Sequence, residues 1–169
     1  MHPGAWIVID LVADELILAT ADSPRMATWL KARHPSMDLL SLERVAGETV
    51  AVPAAIEPFG TVVTMLNTGS SGTEFDVAAV PGLLGAPSEP SGFGLSGSGI
   101  DGEEVSGQSL RLGGRLFRLS VLLIREEMPP PPGLVGMDVL AGTVLAVAAS
   151  PHEPVLWLVE GGRGTVPTN

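Results

Sequence analysis

The side chains able to do chemistry in this chain are few, and their spacing limits each of them. Residues 64–75, TMLNTGSSGTEF, run from an apolar approach through a tight polar turn and back to apolar residues. Asn67 heads that turn, followed by Thr68, Gly69, Ser70 and Ser71. A carboxylate at its head would serve as a general acid or base on water. An amide of nearly the same shape has no ionisable proton and cannot. Ser70, Ser71, Ser96 and Ser98 carry hydroxyls, but no G-x-S-x-G elbow surrounds them and no histidine stands in a recognisable relation to them. They read as turn hydroxyls that bond backbone groups. GFGLSG, residues 92–97, matches the glycine pattern of a dinucleotide-binding loop. That loop requires a strand before it and a helix after it, and the flanking APSEPS and SGIDGEEVSG supply neither, so the segment reads as a mobile hairpin tip. There is no cysteine, and the three histidines (His2, His34 and His152) are scattered. This excludes disulfides, thiol nucleophiles and thiolate metal sites, and no metal or other cofactor is expected.

Short elements must hold these residues. The chain of 169 residues is 45% hydrophobic with 21 Gly and 15 Pro, and only 17% of it is charged. Such a profile suits short strands and tight turns rather than a helical bundle, in one domain or one domain with an appendage. Residues 5–20 read as two strands around Ala13-Asp14-Glu15, with a helix as the alternative. SPRMATWLKAR reads as a helix, with Ser23 as the cap, Pro24 in the first helical position and Lys31 and Arg33 at the C-terminal dipole end. His34-Pro35 stops it. From residue 38 the pattern becomes short apolar runs broken by Gly and Pro. Strands are expected at 49–56, 60–67, 73–80, 103–112, 115–125, 143–149 and 154–160. MPPPPG, 128–133, is a stiff connector, and GLVGMDVL, 133–140, is a buried strand end, Leu134-Val135, turning at Gly136 into a short helix. The tail GGRGTVPTN is expected to fray.

The formal net charge of −10 argues against nucleic acid and anionic membrane as partners. The N-terminal run AWIVIDLVADELILAT is apolar, yet it contains Asp10, Asp14 and Glu15 and no Lys or Arg precedes it. That pattern fits neither a signal peptide nor a membrane span, and a cytoplasmic location is expected.

Residues 50–160 resemble the retropepsin-like aspartic proteases, the half-size relatives of pepsin. Three segments come in that family's order. VVTMLNTGSSGTEF is similar to the strand that enters an Asp-Thr-Gly-Ser/Ala turn, with Asn67 at the aspartate position. GFGLSGSGI is similar to the glycine-rich flap, and LVGMDVL to the apolar pair and glycine that lead into a short helix, a form common in bacterial and retroelement members. Residues 1–45 fall outside the resemblance. The implied fold is mainly β: a retropepsin-like barrel over 46–162, an N-terminal α/β extension over 1–45 and a flexible tail over 163–169.

Aspartic proteolysis needs two carboxylates close enough to share one proton, so that one stays acid while the other acts as base. This chain has one such turn; ADSP at Asp22 and IDGE at Asp101 lack the strand before and the pattern after. The resemblance therefore implies a homodimer with one catalytic residue from each copy, acting on a protein or peptide substrate held as an added strand. In that scheme residue 67 is catalytic, Thr68 braces the two turns and Gly69 allows the close approach of backbone at the centre. Ser70, Ser71, Gly92, Phe93, Gly94, Leu95, Ser96, Gly97, Leu134, Val135 and Gly136 line the substrate. Asp138 reads as a helix-start and structural carboxylate. Asn67 is expected to make the chain inactive, either as an engineered replacement of aspartate or as the mark of a natural dead enzyme that binds peptides or dimerises. An unrelated β-barrel with similar turns is a third reading.

Overall fold

A computed structural model of the protein describes residues 4–45, 50–83, 92–93, 99–100, 102–125 and 130–160. The tail from 161 and residues 94–98, expected to form the tip of a flap, lie outside the described residues. The chain forms two compact units, one of residues 1–52 with 140–163 and the other of residues 53–139 with 164–169.

In the first unit, strands β1 (Gly4–Asp10) and β2 (Glu15–Ala21) form a hairpin. Its turn holds Asp14 at φ 55°, a left-handed conformation that Asp tolerates. Of the two readings left open for residues 5–20, two strands is the one observed. Helix α1 (Ser23–Arg33) follows, and its cap differs from expectation. Asp22 is the N-cap, its carboxylate accepting the Arg25 N–H at 2.9 Å, and Ser23 already lies inside the helix. A carboxylate there also complements the helix dipole, which a serine hydroxyl does not. Met26 and Leu30, one turn apart, are buried in the core with Trp6 and Val8. Burial of each such side chain contributes about 1.5–3 kcal/mol.

Strand β3 (Met37–Leu42) forms one edge of a five-stranded antiparallel sheet, in the order β2, β1, Val144–Ala148, Val155–Glu160, β3. The last two C-terminal strands were expected to belong with residues 46–162. They instead hydrogen-bond to β1 and β3, with Asp10 opposite Val144 and Val155 opposite Leu42. Their apolar runs pair at long range, and local pattern carries no information about which edge they join.

The second unit is a closed six-stranded barrel. Its members are β4 (Ala51–Glu57), β5 (Gly60–Leu66), β6 (Thr73–Asp76), β9 (Gly102–Leu112), β10 (Arg115–Ile124) and β11 (Gly133–Val135). The remaining strands, β7 (Gly92–Phe93) and β8 (Gly99–Ile100), pair with each other among the described residues. Short helix α2 (Met137–Leu140) follows β11, and the C-terminal strands of the first unit's sheet are β12 (Val144–Ala148) and β13 (Val155–Glu160). The molecule is thus mainly β with an α/β N-terminal segment, as the sequence indicated. Strand β6 ends at Asp76 rather than reaching residue 80, because the Asp76 side chain accepts the Ala78 N–H at 2.8 Å and turns the chain.

Barrel closure joins β4 to the end of β9, with Ala54 opposite Leu112 and Glu57 opposite Ser109. It also requires two parallel contacts, β10 with β6 and β11 with β5. Ile56, Phe75, Leu110, Leu112, Val121, Leu123 and Val135 are all buried in this unit. The β9–β10 hairpin turns at Gly113-Gly114, both at positive φ (55° and 85°), the geometry of a primed two-residue turn.

Candidate functional site

Asn67 leaves the end of β5 at the point where the barrel brings β11 alongside it, Leu134 opposite Met65 and Val135 opposite Leu66. Its N–H donates to the Val135 carbonyl at 3.0 Å, extending the parallel pairing one residue into the turn. The Asn67 side-chain Oδ1 accepts the Gly69 N–H at 2.8 Å, a local hydrogen bond that shapes the turn. Asn67 and Ser70 are half-buried, whereas Thr68, Gly69 and Ser71 are exposed.

A second layer of bonds ties the far side of this turn to the segment after β11. The Met137 N–H donates to the Ser70 carbonyl at 2.8 Å. Between these two bonds, Gly136 passes directly over Gly72: a Cβ added at Gly136 would stand 2.2 Å from the Gly72 oxygen and 2.6 Å from its carbonyl carbon. Only a residue without a side chain fits where two backbones cross so closely.

Thr73, fully buried at the start of β6, joins the same crossing. Its hydroxyl donates to one oxygen of the Asp138 carboxylate at 2.8 Å and its N–H to the other at 3.0 Å. The same hydroxyl oxygen accepts the Gly136 N–H at 3.4 Å. Asp138 as a residue is exposed, but its carboxylate turns toward Thr73. Burial there pushes the group above the ordinary carboxylate range, against the opposing pull of the Thr73 hydrogen bonds. Its placement in the first turn of α2 also suits a negative charge.

Of the residues singled out from sequence, the structure brings Asn67 to Ser71 and Leu134 to Gly136 together in one locked crossing. Gly92 and Phe93 lie on β7, whose backbone pairs with Gly99 and Ile100 in a hairpin. Gly94, Leu95, Ser96 and Gly97 lie outside the described residues. Two contributors were missed. Thr73 looked like an ordinary strand residue, and only its distant partner Asp138 makes it a clamp. Glu74 sits beside the turn with its Oε1 accepting the Ser70 hydroxyl at 2.8 Å. Its signal was a lone charge between Thr73 and Phe75 in a strand otherwise buried. Among the described residues no three His, Asp or Glu side chains converge as a metal site, and no helix is long and apolar enough to cross a membrane.

Among solved structures, the chain is similar to a retropepsin-like aspartic protease from Rickettsia conorii, at 15% identity and a TM-score of 0.48. The similarity covers 68% of this chain and 94% of that one. No family model matches the sequence, and no curated protein matches it.

What the arrangement can do follows from its atoms. The turn presents the residue-67 side chain on a rigid platform, braced from behind by Val135, Gly136 and Met137. An amide there offers N–H donors and one acceptor, and no proton to exchange with water. A carboxylate in the same place would keep the Gly69 N–H as a partner for its charged form.

Proposed function

We propose that the barrel is a retropepsin-like aspartic endopeptidase domain that works as a homodimer, each copy giving one residue 67 to a shared site. The observation that carries this reading is the locked crossing itself. An Asn-Thr-Gly turn leaves β5 and is held by the Val135 carbonyl on one side and the Met137 N–H on the other, with Gly136 pressed on Gly72. That construction fixes a single side chain at the centre of one turn, which is half of a proton-sharing pair. A second copy related by a two-fold axis supplies the other half. The substrate is an extended peptide segment, and in the active form an aspartate at 67 activates water. The β7–β8 hairpin is the base of a flap that closes on the bound peptide and excludes water.

The Asn67 form is inactive in this reading, for want of an ionisable group. An engineered aspartate-to-asparagine change accounts for a turn that is otherwise complete. The alternative is a natural, catalytically dead domain of the same fold that binds peptides or dimerises; the 2.8 Å bond from Gly69 to Oδ1 shows that the amide is well accommodated. A cytoplasmic setting, with no nucleic-acid or membrane partner, belongs to the same proposal.

The test is the particle mass. Sedimentation at micromolar concentration should give twice the 17.4 kDa chain mass, and a peptide carrying a statine hydroxyl should shift the equilibrium further toward the dimer. A strictly monomeric particle at high concentration contradicts the shared-site reading.

A further inference from the structure

Strand register lays out a row of side chains across five neighbouring strands next to the turn. Leu134 on β11 stands opposite Met65 on β5 and, on its other side, opposite Glu74 on β6. Glu74 in turn stands opposite Leu122 on β10, and Leu122 opposite Glu104 on β9. Paired residues share a face of the sheet, and alternation puts Phe75, fully buried, on the other. Asn67 follows Met65 by two residues, so the row ends beside the Asn67 turn.

Met65, Leu134 and Leu122 make this wall apolar, and a carboxylate in its middle is out of place. Glu74 is half-buried. Its one hydrogen-bond partner among the described residues is the Ser70 hydroxyl, whose single proton is shared between Glu74 Oε1 and the Gly72 carbonyl, 2.8 and 2.9 Å away. Among the barrel's described cations, Arg111 pairs with Glu57 and Arg125 with Glu103, at 3.0 and 3.2 Å. Glu104, across Leu122, is exposed and adds a second negative charge to the same face. A half-buried carboxylate flanked by leucines, with one neutral donor and no cation on it among the described residues, retains acceptor capacity that a cationic donor entering along the wall would satisfy.

We propose that Glu74 is a specificity determinant: the wall beside the Asn67 turn takes a lysine or arginine side chain of an extended peptide, its aliphatic stem against Met65, Leu134 and Leu122 and its charged head on the Glu74 carboxylate. The snorkelling geometry of long cationic side chains fits a wall that is apolar around one acid. This inference rests on the peptide-cleft reading above and adds the class of substrate to it.

The test uses the Asn67 protein as it stands, which would hold peptides without cutting them. Fluorescence anisotropy is measured on a positional library in which each position of an extended peptide carries lysine or norleucine. At one position lysine should bind about tenfold tighter than norleucine, the range for a charge-assisted hydrogen bond. That preference should shrink as salt rises. In E74Q, which keeps an acceptor for Ser70, it should fall to near parity, and in E74K it should reverse in favour of glutamate. Melting curves of both variants report whether the barrel is intact, and the salt series on the unaltered chain stands without any variant. Peptides that bind with equal affinity for lysine and norleucine at every position overturn this inference alone. Failure of every peptide to bind overturns the cleft reading, and this inference with it.

Discussion

Replacing Gly136 with alanine forces the most tightly constrained point of the barrel to move. The new Cβ would lie 2.2 Å from the Gly72 oxygen, 2.6 Å from its carbonyl carbon and 2.9 Å from its nitrogen, where ordinary contact begins at 3.4 Å. All three atoms are backbone, so no side chain can swing aside, and the two segments must part by about 1 Å or more to reach ordinary contact. Such a shift takes the Met137-to-Ser70 hydrogen bond, now 2.8 Å, out of range, and strains the bond from Asn67 to Val135 at 3.0 Å. Overpacking costs about 1–3 kcal/mol and the lost hydrogen bond about 1 kcal/mol, so G136A should destabilise the barrel by about 2–4 kcal/mol. The control is G72A, whose Cβ meets nothing within 4 Å and which should lie within about 0.5 kcal/mol of the parent. All three tryptophans (Trp6, Trp29 and Trp157) belong to the five-stranded unit, so tryptophan fluorescence does not report on the barrel. Hydrogen exchange over residues 60–76 and 130–140 under increasing urea reads the barrel directly. A G136A protein with undiminished protection there, and a urea midpoint equal to that of G72A, would refute the crossing.

Two further outcomes concern pH, and their signs differ. Burial works to raise the Asp10 carboxyl, but the Ala13 N–H, His34 and Arg33 outweigh it and hold the group below the ordinary carboxylate value. A depressed native value contributes stability above about pH 4 that is lost as pH falls through that value. D10N should therefore cost the first unit about 3 kcal/mol at neutral pH, the low end for a buried pair because Arg33 keeps its contact with Glu15. The gap to the parent, followed by tryptophan fluorescence, should narrow on acidification; a gap that widens in acid contradicts the cluster. Asp138 behaves oppositely, because its raised value favours the protonated form in the native state. Its contribution is full below about pH 4 and is lost as pH rises through the raised value. D138N should gain on the parent as pH rises above about 4, read as urea midpoints of the barrel, and a trend in the other direction would show that the Thr73 bonds outweigh burial.

What was legible in the sequence was whatever is encoded locally. The Asn67-Thr68-Gly69 turn, the Leu134-Val135-Gly136 segment and the hairpin around Gly92 announce themselves because glycine position and apolar flanks are short-range signals. The two strands around Asp14 and the helix from Ser23 were legible for the same reason, although the cap moved to Asp22, one residue earlier. Long-range pairing was not legible. Val144–Ala148 and Val155–Glu160 are apolar runs that would suit either sheet, and only the register with Asp10 and Leu42 assigns them. The Asp10 cluster with Arg33 and His34 at 3.0 and 2.8 Å gathers residues from a strand end and a helix end, which no spacing rule connects. Glu74 was overlooked because an acid in a strand usually faces solvent. Its meaning depends on Leu134 and Leu122 flanking it.

The measurement that bears most directly on the account is peptide cleavage by N67D. The side chains are nearly isosteric, and the bonds from Gly69, Val135 and Met137 already hold the turn, so the variant should place two carboxylates face to face in the dimer. The pair should titrate jointly, with the neighbouring charge raising one apparent value. Cleavage of a broad peptide library should appear in N67D and be absent from the Asn67 protein. It should be greatest in the acid-to-neutral range, where the pair holds one proton, and be blocked by statine peptides, whose hydroxyl stands where the attacking water would sit. An N67D dimer that binds peptides yet cleaves none of them from acidic to neutral pH would contradict the protease reading and leave a peptide-binding module in its place.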